Sequence, residues 1–123
     1  RVVLRVQMHT GRAGAFSTDL SESSADVRAC VAAARAVAAD RWLPYGFTTN
    51  AEVSGAVLRR DFRLGTAAMA PLKTAMDRGA LSIRGVHRAT RVAWTLADLA
   101  GRTAPGRDDV STALSFRLPG VKP

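Results

Sequence analysis

Arg84, Arg88 and Arg91 recur at four- and three-residue steps in the stretch Ser82-Ile-Arg-Gly-Val-His-Arg-Ala-Thr-Arg, with His87 one turn beyond Arg84. An arginine two residues past a helix start can be aimed at a phosphate, which that helix end also attracts through its dipole. The element that would position them is legible around them. Ser82 is a natural N-cap and Gly101 a natural stop. Between them Val86, Ala89, Ala93, Leu96, Ala97 and Ala100 share one side of a 3.6-residue helix, while Arg84, Arg88, Arg91, Thr95 and Asp98 take the opposite side.

These residues also have plainer readings. An arginine in the first turn opposes the dipole by ~0.3 to 1 kcal/mol at low salt, so Arg84 calls for an anion or a carboxylate from elsewhere to offset it. Arg88 and Arg91 fit the solvated charge row that any amphipathic surface helix carries. His87 can reach a phosphate, but a histidine in this setting is more often a surface or packing residue.

Several chemistries are excluded. No Gly-x-x-x-x-Gly-Lys-Ser/Thr run occurs, so this chain builds no P-loop and is not expected to hydrolyse a nucleotide alone. Cys30 is the only cysteine and His9 and His87 are the only histidines. No intrachain disulfide and no Cys/His zinc site can be assembled from that set. On its alanine-rich helix Cys30 reads as a small buried residue rather than a nucleophile.

Composition narrows the class further. A chain of 123 residues suits one domain with a modest core. Its 6% aromatic content and abundance of alanine favour packed helices over a sandwich of strands. The net charge of +8 is almost all arginine, because Lys73 and Lys122 are the only lysines; such a field attracts polyanions. No apolar run approaches the ~20 residues that span a bilayer, and a cytoplasmic setting is the default expectation.

Along the chain, residues 1–9 alternate like a strand, with Val2, Leu4, Val6 and Met8 on one side. A lone strand suggests the end of a preceding domain, and the start at Arg1 reads as a cut from a longer protein. Residues 10–21 read as a linker. Ser23 or Ser24 caps a helix running to about Trp42, with Val27, Val31, Ala34 and Ala38 inward. Phe47 to Val53 reads as a loop hooking Trp42, Tyr45 and Phe47 onto the core, and Ser54 caps a short helix with Val57, Leu58 and Phe62. Met69, Leu72 and Met76 mark another helix, which Pro71 should delay or kink. A last helix begins near Asp108, with Val110, Ala113, Leu114 and Phe116 inward, and residues 119–123 form a tail. The expected fold is all-α, a compact bundle of about five helices preceded by one strand.

Taken in order, Glu22-Ser-Ser-Ala-Asp-Val-Arg28, Ala33-Ala-Arg35, Asn50-Ala-Glu-Val-Ser-Gly55, Leu81-Ser-Ile-Arg-Gly-Val-His-Arg88, Arg91-Val-Ala and Leu96-Ala-Asp-Leu99 resemble the C-terminal region of magnesium-chelatase-like AAA+ ATPases of the ComM/YifB family. The resemblance covers essentially the whole chain. It implies that residues 22–118 are the helical lid and residues 1–9 the last strand of the α/β nucleotide-binding core. Arg84 then matches the sensor-2 arginine that contacts the terminal phosphate of ATP, with His87 and Arg88 beside it, and Arg1 matches an arginine finger. Two departures accompany the match: Val3 stands where the family stretch around Arg1 usually carries an acid, and Pro71 interrupts a helix usually unbroken. ATP and magnesium are implied for the full-length protein and none for the isolated chain. The implied partners are its own AAA+ core, neighbouring subunits of a homo-oligomeric ring and DNA, with no membrane. Three other readings stand beside it. They are an autonomous DNA-binding module using Arg84, Arg88, Arg91 and Arg102, the lid of a true magnesium chelatase, and a purely structural oligomerisation domain.

Overall fold

A computed structural model describes residues 4–6 and 23–118. Helix α1, Ser24–Trp42, starts where the Ser23 hydroxyl accepts the Asp26 amide at 3.1 Å, and Arg41 in its last turn suits the dipole. Pro44 and the left-handed Gly46 (φ 77°) then turn the chain through a short 3-10 segment, Leu43–Tyr45. A second 3-10 segment, Asn50–Glu52, lies within the stretch expected to be loop. Helix α2, Gly55–Arg60, is capped by Ser54 as expected.

Helix α3, Thr66–Asp77, runs through Pro71 without a late start. The bond that Pro71 cannot make would go to the carbonyl of Ala67, an exposed residue with access to water, so the cost is reduced. Helix α4, Ile83–Leu99, begins where the Ser82 hydroxyl accepts the Gly85 amide at 3.1 Å and closes on Gly101 at φ 72°. Helix α5, Arg107–Ser115, is held at its start by the Gly106 amide donating to Asp109 at 2.9 Å.

The described residues thus form an all-α bundle of five helices with no strand among them. Of the expected strand, residues 4–6 carry no strand pairing, and the Arg5 amide donates to the Phe116 carbonyl at 2.9 Å. The rest of that stretch, including Arg1, and the expected linker and tail lie outside the described residues.

Helix α4 is the axis of the bundle, packing against α1, α2 and α5. It joins two apolar cores. One gathers Leu72, Val86, Ala89, Ala93, Val110 and Leu114 from α3, α4 and α5. The other surrounds Trp42 with Ala38, Val53, Leu58 and Trp94, and the Phe62 ring stands edge-on to Trp42 at 4.5 Å between centroids. Alanines at Ala89, Ala93 and Ala97, all fully buried, let neighbouring helices approach α4 closely.

Three expectations about α1 and α4 are corrected. Val27 and Val31 are exposed, and the fully buried residues of α1 lie further along it, at Ala34, Ala38 and Trp42. Cys30 is exposed too, its thiol 3.7 Å from the Leu99 carbonyl, rather than buried. Asp98, expected on the solvent face, is buried.

Candidate functional site

The first two turns of α4 present the row of basic residues, and the structure separates its members. Arg84 is the second residue of the helix and is exposed, with no hydrogen bond or ion pair among the described residues. Gly85 beside it is buried; a Cβ there would come within 2.6 Å of a Leu81 methyl, so the glycine lets Leu81 fold across the helix start. Arg88, four residues on and on the same face, is half-buried and likewise unpaired among the described residues. Two guanidinium groups one turn apart can bind an anionic oxygen cluster such as a phosphate.

His87 and Arg91 belong to the packing instead. The imidazole lies against Gly55 at the start of α2, where a Cβ would fall 2.3 Å from Nδ1 and Cε1. Burial, then the nearby Arg59 and Arg91 charges, hold its pKa below the usual 6.5. His87 is therefore neutral at neutral pH and adds no charge to the row. Arg91, expected to be solvated, is half-buried and its Nε donates to the Val53 carbonyl at 2.8 Å, tying α4 to the loop before α2.

A second polar cluster escaped the reading of residue spacing. Arg41 at the end of α1 meets Asp98 near the end of α4 in a two-pronged ion pair. Asn50 sits between them, accepting from the Trp42 indole at 2.7 Å and donating to Asp98 at 3.1 Å and to Thr95 at 3.0 Å. The Arg41 guanidinium also lies 4.3 Å from the Trp94 ring centroid. Its internal saturation marks a structural joint. One signal for it was present: a carboxylate in the last turn of a helix opposes the dipole, as Arg84 does at the other end, and so needs a partner. Arg102, a candidate phosphate contact, is likewise committed, to Asp109.

No group of three or more His, Cys, Asp or Glu residues that could hold a metal occurs among the described residues.

Residues 21–117 match the family described as magnesium chelatase, subunit ChlI C-terminal. The chain belongs to that family. It is 66% identical over 122 residues to uncharacterized proteins of Mycobacterium bovis and Mycobacterium tuberculosis, covering 99% of this chain and 24% of each relative. It therefore spans about a quarter of their length. No solved structure matches it. The family and the helical bundle together support the lid of a magnesium-chelatase-like AAA+ protein. No helix among the described residues is long and apolar enough to cross a membrane.

Proposed function

We propose that this domain is the lid of a ComM/YifB-like AAA+ ATPase, a cytoplasmic DNA helicase or branch-migration motor, and that Arg84 is its sensor-2 arginine. The observation that carries this reading is the exposed, unpaired Arg84 at the second position of a capped helix. There its charge opposes the dipole and calls for an anion. A P-loop core outside this chain would hold ATP and magnesium, which would supply the phosphate to be cleaved. Arg84 neutralises charge building on the terminal phosphate, and Arg88, one turn along, widens the cationic surface. His87, packed against Gly55, fixes the rotation of α4 relative to α2 rather than touching the nucleotide.

Because Arg84 rides on the helix that joins both cores, a pull on it moves the whole lid, so nucleotide state couples to lid angle and to contacts between ring neighbours. Arg1 remains the proposed arginine finger. A true magnesium chelatase would use the same lid chemistry on a different substrate.

The test is Arg84→Ala in the full-length protein. A sensor role gives a fall of about 1,000-fold or more in ATP turnover with the fold intact; unchanged turnover and unchanged ring assembly would sink the proposal. The rival DNA-binding module needed Arg84, Arg88, Arg91 and Arg102 free, and two of these are bound within the fold. A salt titration of the isolated domain with duplex DNA separates the two, since phosphate contacts make affinity fall steeply with log salt.

A further inference from the structure

Beside the first two turns of α4, a groove of about 340 Å³ opens between α2, α3 and α4, with Val86, His87 and Thr90 on its α4 side. Its floor is apolar: Leu58, Leu64, Met69 and Val86. The one hydroxyl in it, that of Thr90, already donates to the Val86 carbonyl at 2.8 Å. A second hollow of about 280 Å³ shares the lining residues Leu64 and Met69 and includes Lys73, so the two adjoin there, a trough in two parts along the α2–α3 connection. Arg59 and Arg63 stand at its first part, with the Arg63 Nε anchored on the Arg59 carbonyl at 2.9 Å. No carboxylate lines either part among the described residues.

We propose that this trough docks an acidic peptide segment of a partner protein, its apolar side chains seated over Leu64 and Met69 and its carboxylates against Arg59, Arg63 and Lys73. An elongated apolar floor with cations along it is complementary to a segment that alternates apolar anchors with acids. Met69 in the floor adapts its shape to different anchors. Nucleic acid fits the trough poorly. Two aromatic side chains line it among the described residues: the Phe62 ring is already engaged with Trp42, Tyr45 and Trp94 at 4.5, 5.4 and 5.8 Å, and the His87 imidazole lies against Gly55, which leaves little aromatic face for a base. The proposal is independent of the role assigned to Arg84, which lines neither part of the trough.

The experiment measures fluorescence anisotropy of a labelled acidic peptide about a dozen residues long, carrying leucines one helical turn apart, against the whole chain. The expected result is saturable binding that weakens at least about tenfold in the Arg59→Glu, Arg63→Glu double variant. It stays unchanged in the Arg28→Glu, Arg35→Glu variant, which alters net charge equally on exposed positions of α1. Replacing the peptide leucines by serine should abolish it. Four outcomes would overturn the proposal: no binding by the leucine peptide, equal loss in both charge variants, undiminished binding by the serine peptide, or tighter binding of a single-stranded oligonucleotide that the Arg59, Arg63 variant alone destroys.

Discussion

Arg41 and Asp98, 57 residues apart in sequence, close the ends of α1 and α4 against each other, with Arg41 Nη1 3.1 Å from Asp98 Oδ2 and a second, parallel bond from Nη2. The Asp98 side chain is 1% exposed and that of Arg41 11%. Removing one partner from such a pair leaves an uncompensated buried charge, which costs about 3–5 kcal/mol. Asp98→Ala should therefore lower the thermal midpoint by many degrees, and Arg41→Lys should lower it too, because an ammonium cannot supply the two-pronged fork or lie flat on Trp94. Asp40→Ala, one residue from Arg41 but exposed, should leave the melting curve in place. A midpoint unmoved by Asp98→Ala would mean that the pair is solvent-screened rather than structural.

The contact between Gly55 and His87 gives a second expectation. Alanine at the first position of a helix is ordinarily harmless, yet here its methyl would land 2.3 Å from two imidazole atoms. Overpacking of this kind costs about 1–3 kcal/mol. Gly55→Ala should be destabilising in urea titration, and His87→Ala should relieve most of that loss in the double variant, a coupling that additive effects would not show.

His87 also sets a pH dependence. Its folded pKa lies below the unfolded value of 6.5 through burial and then the charges of Arg59 and Arg91, so below that pH the unfolded chain binds the extra proton first. Stability contributed by the neutral imidazole is fully present above 6.5 and is lost as pH falls below it. Urea midpoints measured from about pH 7.5 down to 5.5 should decline, and His87→Gln should flatten the decline. An equal slope in that variant would assign the effect to other groups.

Helix α4 was legible because its information is local: Ser82 and Gly101 mark its ends and the alanine spacing marks its buried side. The short helix after Ser54 was legible for the same reason. What escaped was pairing across distance. Periodicity placed Asp98 opposite the Ala89 and Ala93 stripe, but the end of α1 and Asn50 reach around to cover it. Periodicity likewise identified an apolar side on α1 without saying how much of it is covered, and at Val27 and Val31 the described residues leave it partly exposed. At the candidate site, residue type and spacing favoured Arg84 and read His87 as a surface or packing residue and Arg91 as solvated; only the packing of α2 and the loop before it against α4 shows His87 and Arg91 to be structural groups and leaves Arg84 exposed and Arg88 half-exposed.

That division can be measured on stability alone. Arg91 spends its Nε on the carbonyl of Val53, a buried residue of the Trp42 core, so Arg91→Ala removes a charged hydrogen bond worth about 1.5–3 kcal/mol and the packing of its stem. Arg84 makes no such bond among the described residues, and its charge sits where the helix dipole disfavours it, so Arg84→Ala should leave stability unchanged or raise it by up to about 1 kcal/mol. The two arginines lie seven residues apart on one helix, yet only the Arg91 variant should lower the urea midpoint. A loss of stability in Arg84→Ala comparable to that in Arg91→Ala would show that Arg84 is held by the fold. It would then not be free to serve a ligand, and the phosphate-binding role would have to pass to Arg88.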